Sequence, residues 1–423
     1  MKQVREGYKM TELGEIPVEW ELKELNSLAR KEEKYAFSGG PFGSDLTSND
    51  YTEAGVQIIQ LQNIGEGCFY NNHQIFTSDS KADELKKCNI YPGDLVIAKM
   101  AEPVARACIV PKGADRYLMA SDAIRLSTDP EIIDKHFLMY AINSRYFRKL
   151  AEANSTGSTR LRIGLTTLSK LNILYPPIKE QEKIAEILST VDEQIENTEQ
   201  RIEKAKDLKR GLMQQLLTKG IGHTEFKQTE LGEIPVEWEV RLLEELVDFS
   251  NGKAHEQLIV EEEKYILINS KFISSEGKVK KYSSEELQPL KINDITMVMS
   301  DVPNGRALAK CFIVDKEGTY TLNQRICLLR SKKINTTYLF YFLNRNKYFL
   351  KFDDGVGQTN LRKNEVLECP VIIPTLPEQQ KIAEILSSID EQIENYEQEK
   401  QKYLELKKGL MQQLLTGQLR VTV

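Results

Sequence analysis

Thr11-Glu12-Leu13-Gly14-Glu15-Ile16-Pro17-Val18-Glu19-Trp20-Glu21 stands near the start of the chain and returns letter for letter at 229–239. Two more blocks behave the same way. Glu180-Gln181-Glu182-Lys183-Ile184-Ala185-Glu186-Ile187-Leu188 recurs at 378–386 with only Glu182 changed, to Gln380, and Gly211-Leu212-Met213-Gln214-Gln215-Leu216-Leu217-Thr218 recurs unchanged at 409–416. Between these copies lie two long stretches that resemble each other only faintly. The chain is therefore a duplicated frame carrying two different inserts.

Its 423 residues suffice for two or three domains with separate cores, and the repeats mark the divisions. No apolar run approaches the roughly 18–20 residues of a membrane helix, and Met1-Lys2-Gln3-Val4-Arg5-Glu6-Gly7 lacks the apolar core of a signal peptide, so a cytoplasmic location is expected. Cys68, Cys88, Cys108, Cys311, Cys327 and Cys369 form no C-x-x-C pair, which argues for reduced, buried thiols rather than a disulfide framework or a zinc site. The four histidines are dispersed and suggest no metal or catalytic constellation. A net charge of -6 is awkward for a lone nucleic-acid binder, because neutralising phosphate takes Lys and Arg. The excess acid lies in the repeated segments, leaving the inserts close to neutral. If the inserts hold DNA, a partner is expected to supply much of the grip.

Both inserts read as mixed α and β in the same order. Residues 56–61 and 95–98 have strand composition, with Tyr91-Pro92-Gly93-Asp94 a turn, and 136–150 spaces its aromatic residues as one helix. In the second insert the counterparts are strands at 265–268 and 295–299 and a helix at 338–349. Trp20 and Trp238, the chain's only tryptophans, are expected to anchor each insert to the frame by packing.

From Glu180 a long amphipathic helix is expected, with Ile184, Leu188, Val191, Ile195, Thr198, Ile202, Ala205 and Leu212 on a heptad seam. The second copy offers Ile382, Leu386, Ile389, Ile393, Tyr396, Tyr403 and Leu410. Prolines just before the start, acid at Glu180 and Glu378 in the first turn, and Gly220 and Gly417 beyond the end fit helix boundaries. Each seam needs a cover, and the other seam is the nearest candidate. The expected fold class is α+β: two mixed α/β heads joined by two long antiparallel helices that form a coiled coil, with a pseudo-twofold internal repeat. The divisions fall at 1–178, 179–220, 221–376 and 377–423. A rod of about 60 Å holding dissimilar heads resembles a ruler for double-stranded DNA, whose grooves repeat every ~34 Å.

The leader Leu-Gly-Glu-Ile-Pro-Val-Glu-Trp, Gly157-Ser158-Thr159 leading into Tyr175-Pro176-Pro177-Ile178-Lys179-Glu180-Gln181, and Gly357-Gln358-Thr359 leading into Ile373-Pro374-Thr375-Leu376-Pro377-Glu378-Gln379 together resemble the specificity subunit of type I restriction-modification systems, a phage-defence family. The resemblance spans essentially the whole chain. It implies two target-recognition domains that each read one half of a bipartite, asymmetric site in the major groove, with no catalytic site in this chain. It also implies spacer helices that dock two methyltransferase subunits, with Ile184, Leu188, Val191, Ile195, Ile382, Leu386, Ile389 and Ile393 as candidate docking residues, and restriction subunits that join the complex. S-adenosylmethionine, ATP and magnesium would then serve the partners, none being bound by this chain.

Candidate DNA contacts begin with a shared G-x-T-x-L-R: Gly157 to Arg162, containing Thr159, Arg160 and Arg162, and Gly357 to Arg362, containing Gln358, Thr359, Asn360 and Arg362, followed by Lys363. Glycine admits close backbone approach, Thr and Arg suit phosphate, Arg suits guanine, and Gln or Asn suits adenine. The alternative is a loop and helix cap joining insert to frame. Arg106 and Arg306 suggest equivalent groove probes, with a surface salt bridge as the alternative. Lys99 and the glycine-rich loop 38–44 are weaker candidates.

Enzyme readings fare worse. The chain has neither G-x-x-x-x-G-K-[ST] nor G-x-G-x-x-G. Tyr175-Pro176-Pro177-Ile178 lacks the amide or acid and the stacking aromatic of an adenine methyltransferase site, and the E-x-K of Glu262-Glu263-Lys264 is a triplet that 28% charged composition produces by chance. A coiled-coil scaffold bridging two proteins would explain the helices but not two large dissimilar heads.

Overall fold

Each copy of the leader folds into a β-hairpin, Tyr8–Thr11 with Gly14–Pro17 and Phe226–Thr229 with Gly232–Pro235, in register from Thr11↔Gly14 and Thr229↔Gly232 outward. The computed structural model describes residues 4–100, 102–261 and 264–422, so Met1-Lys2-Gln3 of the N-terminal reading and Glu262-Glu263 of the E-x-K triplet lie outside the described residues. Contacts divide the chain into two compact units, 1–199 with 398–423, and 200–397.

In the first unit, Glu21–Glu24 pairs with Asn172–Tyr175 and closes the insert at its base. Above it lies an antiparallel sheet in the order Ala107–Ile109, Leu95–Ala98, Ala123–Leu126, Phe37–Gly39. A second sheet places Val56–Ile59 parallel to Tyr117–Met119. Leu95 through Ala98 are buried on both faces, consistent with their unbroken apolar run. The core joins Trp20, Leu25 and Leu95 to Phe137 and Phe147, to Ile184, Leu188 and Leu414 from the two long helices, and to Leu415 just past the end of the second.

The second unit has the same plan. Glu239–Leu242 pairs with Pro370–Ile373, one sheet runs Val247–Asn251, Ile326–Ser331, Ile295–Val298, Cys311–Ile313, and another sets Tyr265–Ile268 parallel to Tyr320–Leu322. Its core joins Trp238, Ile295, Tyr338 and Phe349 to Ile382, Leu386 and Leu216.

The aromatic helices are broken, contrary to the single helices expected. Lys135–Asn143 ends at Ser144, whose extended backbone also starts Arg145–Ala153, and the Ser144 hydroxyl both donates to Ala141 O (2.6 Å) and accepts from Phe147 N (3.4 Å). In the second unit Thr336–Leu343 and Lys347–Leu350 are separated by Asn344-Arg345-Asn346, with Arg345 left-handed at φ 57° and Asn346 capping Tyr348 N. Ser and Asn bond the backbone locally and so divide a helix that apolar spacing alone would continue. Strand Val56–Ile59 likewise stops short of Leu61, where a short 3-10 turn begins.

The long helices run Ile178–Leu216 and Leu376–Leu414, each contributing to both units. Within the first unit Asp192 pairs with Lys407 (2.6 Å) and Glu199 with Lys400 (2.7 Å); within the second, Lys209 pairs with Asp390 (2.5 Å) and Lys206 with Glu397 (3.2 Å). As one partner's number rises, the other's falls. Among the described residues no helix is long and apolar enough to cross a membrane.

Candidate DNA interface

The repeated Glu-Gln dipeptide builds the platform beneath each insert. Trp20 Nε1 donates to Glu180 Oε2 (3.0 Å) and Trp238 Nε1 to Glu378 Oε2 (2.8 Å), giving each buried indole the acceptor it needs. Arg420 adds a charge-assisted bond to Glu180 (2.7 Å), and His223 one to Glu378 (2.9 Å). The neighbouring glutamines cap the aromatic helices: Gln181 Oε1 accepts from Asp134 N, and Gln379 Oε1 from Asn335 N, both at 2.9 Å. Farther along, Asp192 and Asp390 accept from the Tyr140 and Tyr341 hydroxyls (2.7 Å each) while holding the lysines named above. Sequence reading placed the two glutamates at helix starts but missed their partners. Exact repetition at 180–181 and 378–379 was the available signal.

This arrangement alters the reading of the docking candidates. Ile184, Leu188, Ile382 and Leu386 are fully buried in the cores of their own units, Val191 and Ile389 are nearly so, and Ile195 and Ile393 are half-buried. The six buried side chains already have their cover within their own units, whereas Ile195 and Ile393 keep part of their surface exposed.

Arg106 is structural. Its Nε donates to Ile64 O (2.5 Å) and its Nη2 to Leu61 O (2.7 Å), fastening the 61–64 turn, and burial lowers its pKa. Nor is it the counterpart of Arg306. Ala105 N donates to Ala98 O (3.0 Å) and Ala309 N to Val298 O (2.9 Å), both alanines being left-handed at φ 60° and 56°, which matches Arg106 with Lys310. Arg306 is exposed on a loop folded around Asp301, whose carboxylate accepts from Ala307 N (2.6 Å) and Leu308 N (3.0 Å).

The G-x-T-x-L-R stretches are out of register by two residues. Ile163 N donates to Lys99 O and Leu361 N to Met299 O, both at 2.8 Å, so Leu361 matches Ile163, Asn360 matches Arg162, and Gln358 matches Arg160. In the first unit Thr156 and Arg162 exchange backbone bonds (2.9 and 2.8 Å) around a loop that exposes Thr159 and Arg160. Gly157 at φ 103° belongs there, since a Cβ would fall 2.4 Å from Arg160 O. Gly357 has neither constraint. In the second unit Gln358 donates to Ser300 Oγ and Ser300 to Asn360 Oδ1, both at 2.7 Å, and the buried Thr359 hydroxyl donates to Asp353 (3.2 Å). Arg362 and Lys363 are exposed at a helix start.

Lys99, Arg162 and loop 38–44 come together. Lys99 Nζ donates to Ser121 O (2.8 Å) and would sit 3.0 Å from a Cβ on Gly39, while burial lowers its pKa. Arg162 reaches Asp122 at 2.8 Å with its side chain still 55% exposed. Phe42, at the tip of the loop, is 74% exposed. Among the described residues no His/Cys/Asp/Glu group could hold a metal ion.

The family model described as "Type I restriction modification DNA specificity domain" matches residues 17–207 and 235–406. The chain belongs to that family. A putative type I restriction enzyme MjaX specificity subunit of Methanocaldococcus jannaschii is 26% identical, covering 98% of this chain and 97% of that protein; the MjaVIII specificity subunit of the same organism is 30% identical over 72% of this chain and 75% of its own length. The solved S subunit of a type I restriction-modification system from M. genitalium covers 93% of this chain and 96% of its own, with a TM-score of 0.56 at 18% identity, a likeness of fold. This type I specificity subunit thus serves DNA sequence specificity and carries no catalytic role, and the scaffold alternative is not favoured.

Proposed function

We propose that each unit reads one half of a bipartite, asymmetric double-stranded DNA sequence in the major groove, inserts 1–178 and 221–376 serving as target-recognition domains. Helices 179–220 and 377–423 pair antiparallel as a coiled coil in a pseudo-twofold repeat, set the spacer, and dock two methyltransferase subunits, which restriction subunits then join. The opposed numbering of the Asp192–Lys407 and Lys209–Asp390 pairs supports the antiparallel reading. With the seam buried, docking falls to the exposed helix faces. Methyl transfer with S-adenosylmethionine, and ATP and magnesium use, belong to the partners in the cytoplasm; Arg160, Arg362, Lys363, Arg306 and Thr159 supply backbone contacts.

The observation that carries this reading is one bonded frame, Trp to Glu and Gln to helix cap, holding two inserts of different surface. A protein needing one target would have no use for two different readers. Replacing residues 22–179 by the matching insert of a relative tests it: half of the methylated sequence is expected to change. A scaffold would instead change its protein partner and leave the sequence untouched.

A further inference from the structure

The two units carry the same cleft with different polar side chains. In the first, the cleft lies between loop 38–44, the start of the 61–63 turn and residues 120–122. In the second, it lies between Glu256, residues 269–271 and residues 323–325. Backbone bonds fix the correspondence. Ala120 N donates to Ile59 O (2.9 Å) as Asn323 N does to Ile268 O (3.0 Å), so Gln60 matches Asn269 and Gln62 matches Lys271. Lys99 N donates to Asp122 O (2.7 Å) as Met299 N does to Arg325 O (3.0 Å), so Asp122 matches Arg325. The floor is equally rigid in both. Gly40 and Gly252 donate to Ala123 O and Ile326 O (2.9 Å each), and a Cβ on either would collide with the neighbouring carbonyl, at 1.8 Å from Ala120 O and 2.0 Å from Asn323 O.

On that common floor the chemistry diverges. Gln62 gives way to Lys271, both exposed. Asp122, paired with Arg162, gives way to Arg325, and Arg162 to Asn360. The cation has moved from the position of Arg162 to that of Arg325. Where the side chains are largely buried, as at Trp and Glu, the copies agree; here, where a fixed backbone presents side chains to solvent, they differ.

We infer that this cleft and the residue at its border form the base-reading surface of each unit, with Gln62 and Asp122 of the cleft and Arg162 beside it determining the first half-site, and Lys271 and Arg325 of the cleft and Asn360 beside it the second. The inference rests on the chain reading DNA. A held backbone gives the positional accuracy that base-edge bonding requires. The groups suit different edges: the Gln62 amide pairs with adenine N6 and N7, the Arg162 fork, steered by Asp122, with guanine O6 and N7, and Lys271 and Arg325 with guanine. The exposed Phe42 ring at the first cleft supplies an apolar contact of the kind a thymine methyl takes.

The test uses the full chain expressed with its partner methyltransferase, methylated adenines being mapped by sequencing. The exchange Gln62→Lys, Asp122→Arg, Arg162→Asn is expected to change one to three adjacent bases of one half-site, with about 10- to 100-fold altered preference, and to leave the other half unchanged. Lys271→Gln, on an exposed position of the other unit, is expected to change only the other half. For a variant that methylates poorly, selection from DNA randomised in one half gives the same readout by binding. Recovery of the wild-type sequence in both halves by both variants overturns the inference, as does equal weakening on every sequence. Absence of an interrupted motif from the wild-type chain would instead remove the DNA reading on which the inference stands.

Discussion

Glu180 shows how much one side chain carries. Its carboxylate, 1% exposed, holds the Trp20 indole and the Arg420 guanidinium together. Glu180→Ala leaves a buried N–H unpartnered and leaves Arg420 with Glu19 as its remaining carboxylate, so a loss of roughly 2–4 kcal/mol is expected in denaturant unfolding, whereas Glu182→Ala, exposed two residues on, is expected to cost little. Equal losses for the two would contradict the platform. Arg106 and Arg160 should separate in the opposite sense. Arg106→Ala is expected to lower stability without altering the DNA sequence read. Arg160→Ala is expected to leave stability intact, weaken binding on all sequences and reduce the salt slope by about one phosphate contact. Burial pushes the Cys108, Cys327 and Cys369 thiols from 9.0 up to about 12. A raised folded-state pKa means that their contribution is fully present below pH 9 and lost as pH climbs toward 12. Stability measured from pH 8 to 11 should fall, and fall less in the Cys327→Ala variant relative to its own value at pH 8. At this scale the sequence revealed the repeated tryptophans but not their acceptors, because Glu180 and Arg106 are letters that usually mark solvent. Only the fold shows which carbonyl or indole claims them.

Elements were legible where periodicity was unopposed. The long helices and the strands at 95–98 and 295–298 follow from apolar spacing, whereas Ser144 and Asn344-Arg345-Asn346 divide helices through local bonds that spacing does not register. The G-x-T-x-L-R similarity failed for a related reason. Its letters match while the ladder bonds of Ile163 and Leu361 set a register two residues away. Helix ends offer a sharper test. Gly220 and Gly417 are left-handed at φ 66° and 68°, and a Cβ on Gly220 would fall 2.5 Å from both Glu378 Oε1 and the Trp238 ring, while one on Gly417 would meet Pro17 at 2.5 Å. Gly220→Ala and Gly417→Ala are each expected to lower stability by about 1–3 kcal/mol, read as a shifted denaturation midpoint. A double-mutant cycle on Glu199 and Lys400, whose side chains are 50% and 33% exposed, should return only about 0.2–1 kcal/mol. The helices are held by their buried seam rather than by their charges.

For the whole molecule, duplication was the most legible feature and the family followed from it, since order and repetition constrain identity more than any short motif. The half-site sequences were not legible, because readout depends on which side chains the folded clefts expose. On the function proposed above, one chain reads two different half-sites separated by unread bases. Mapping methylated adenines by sequencing, in cells that express this chain with its partner methyltransferase, tests it most directly. An interrupted, asymmetric motif with methylation in both halves is predicted; a continuous motif, a palindromic one, or no methylation would contradict it.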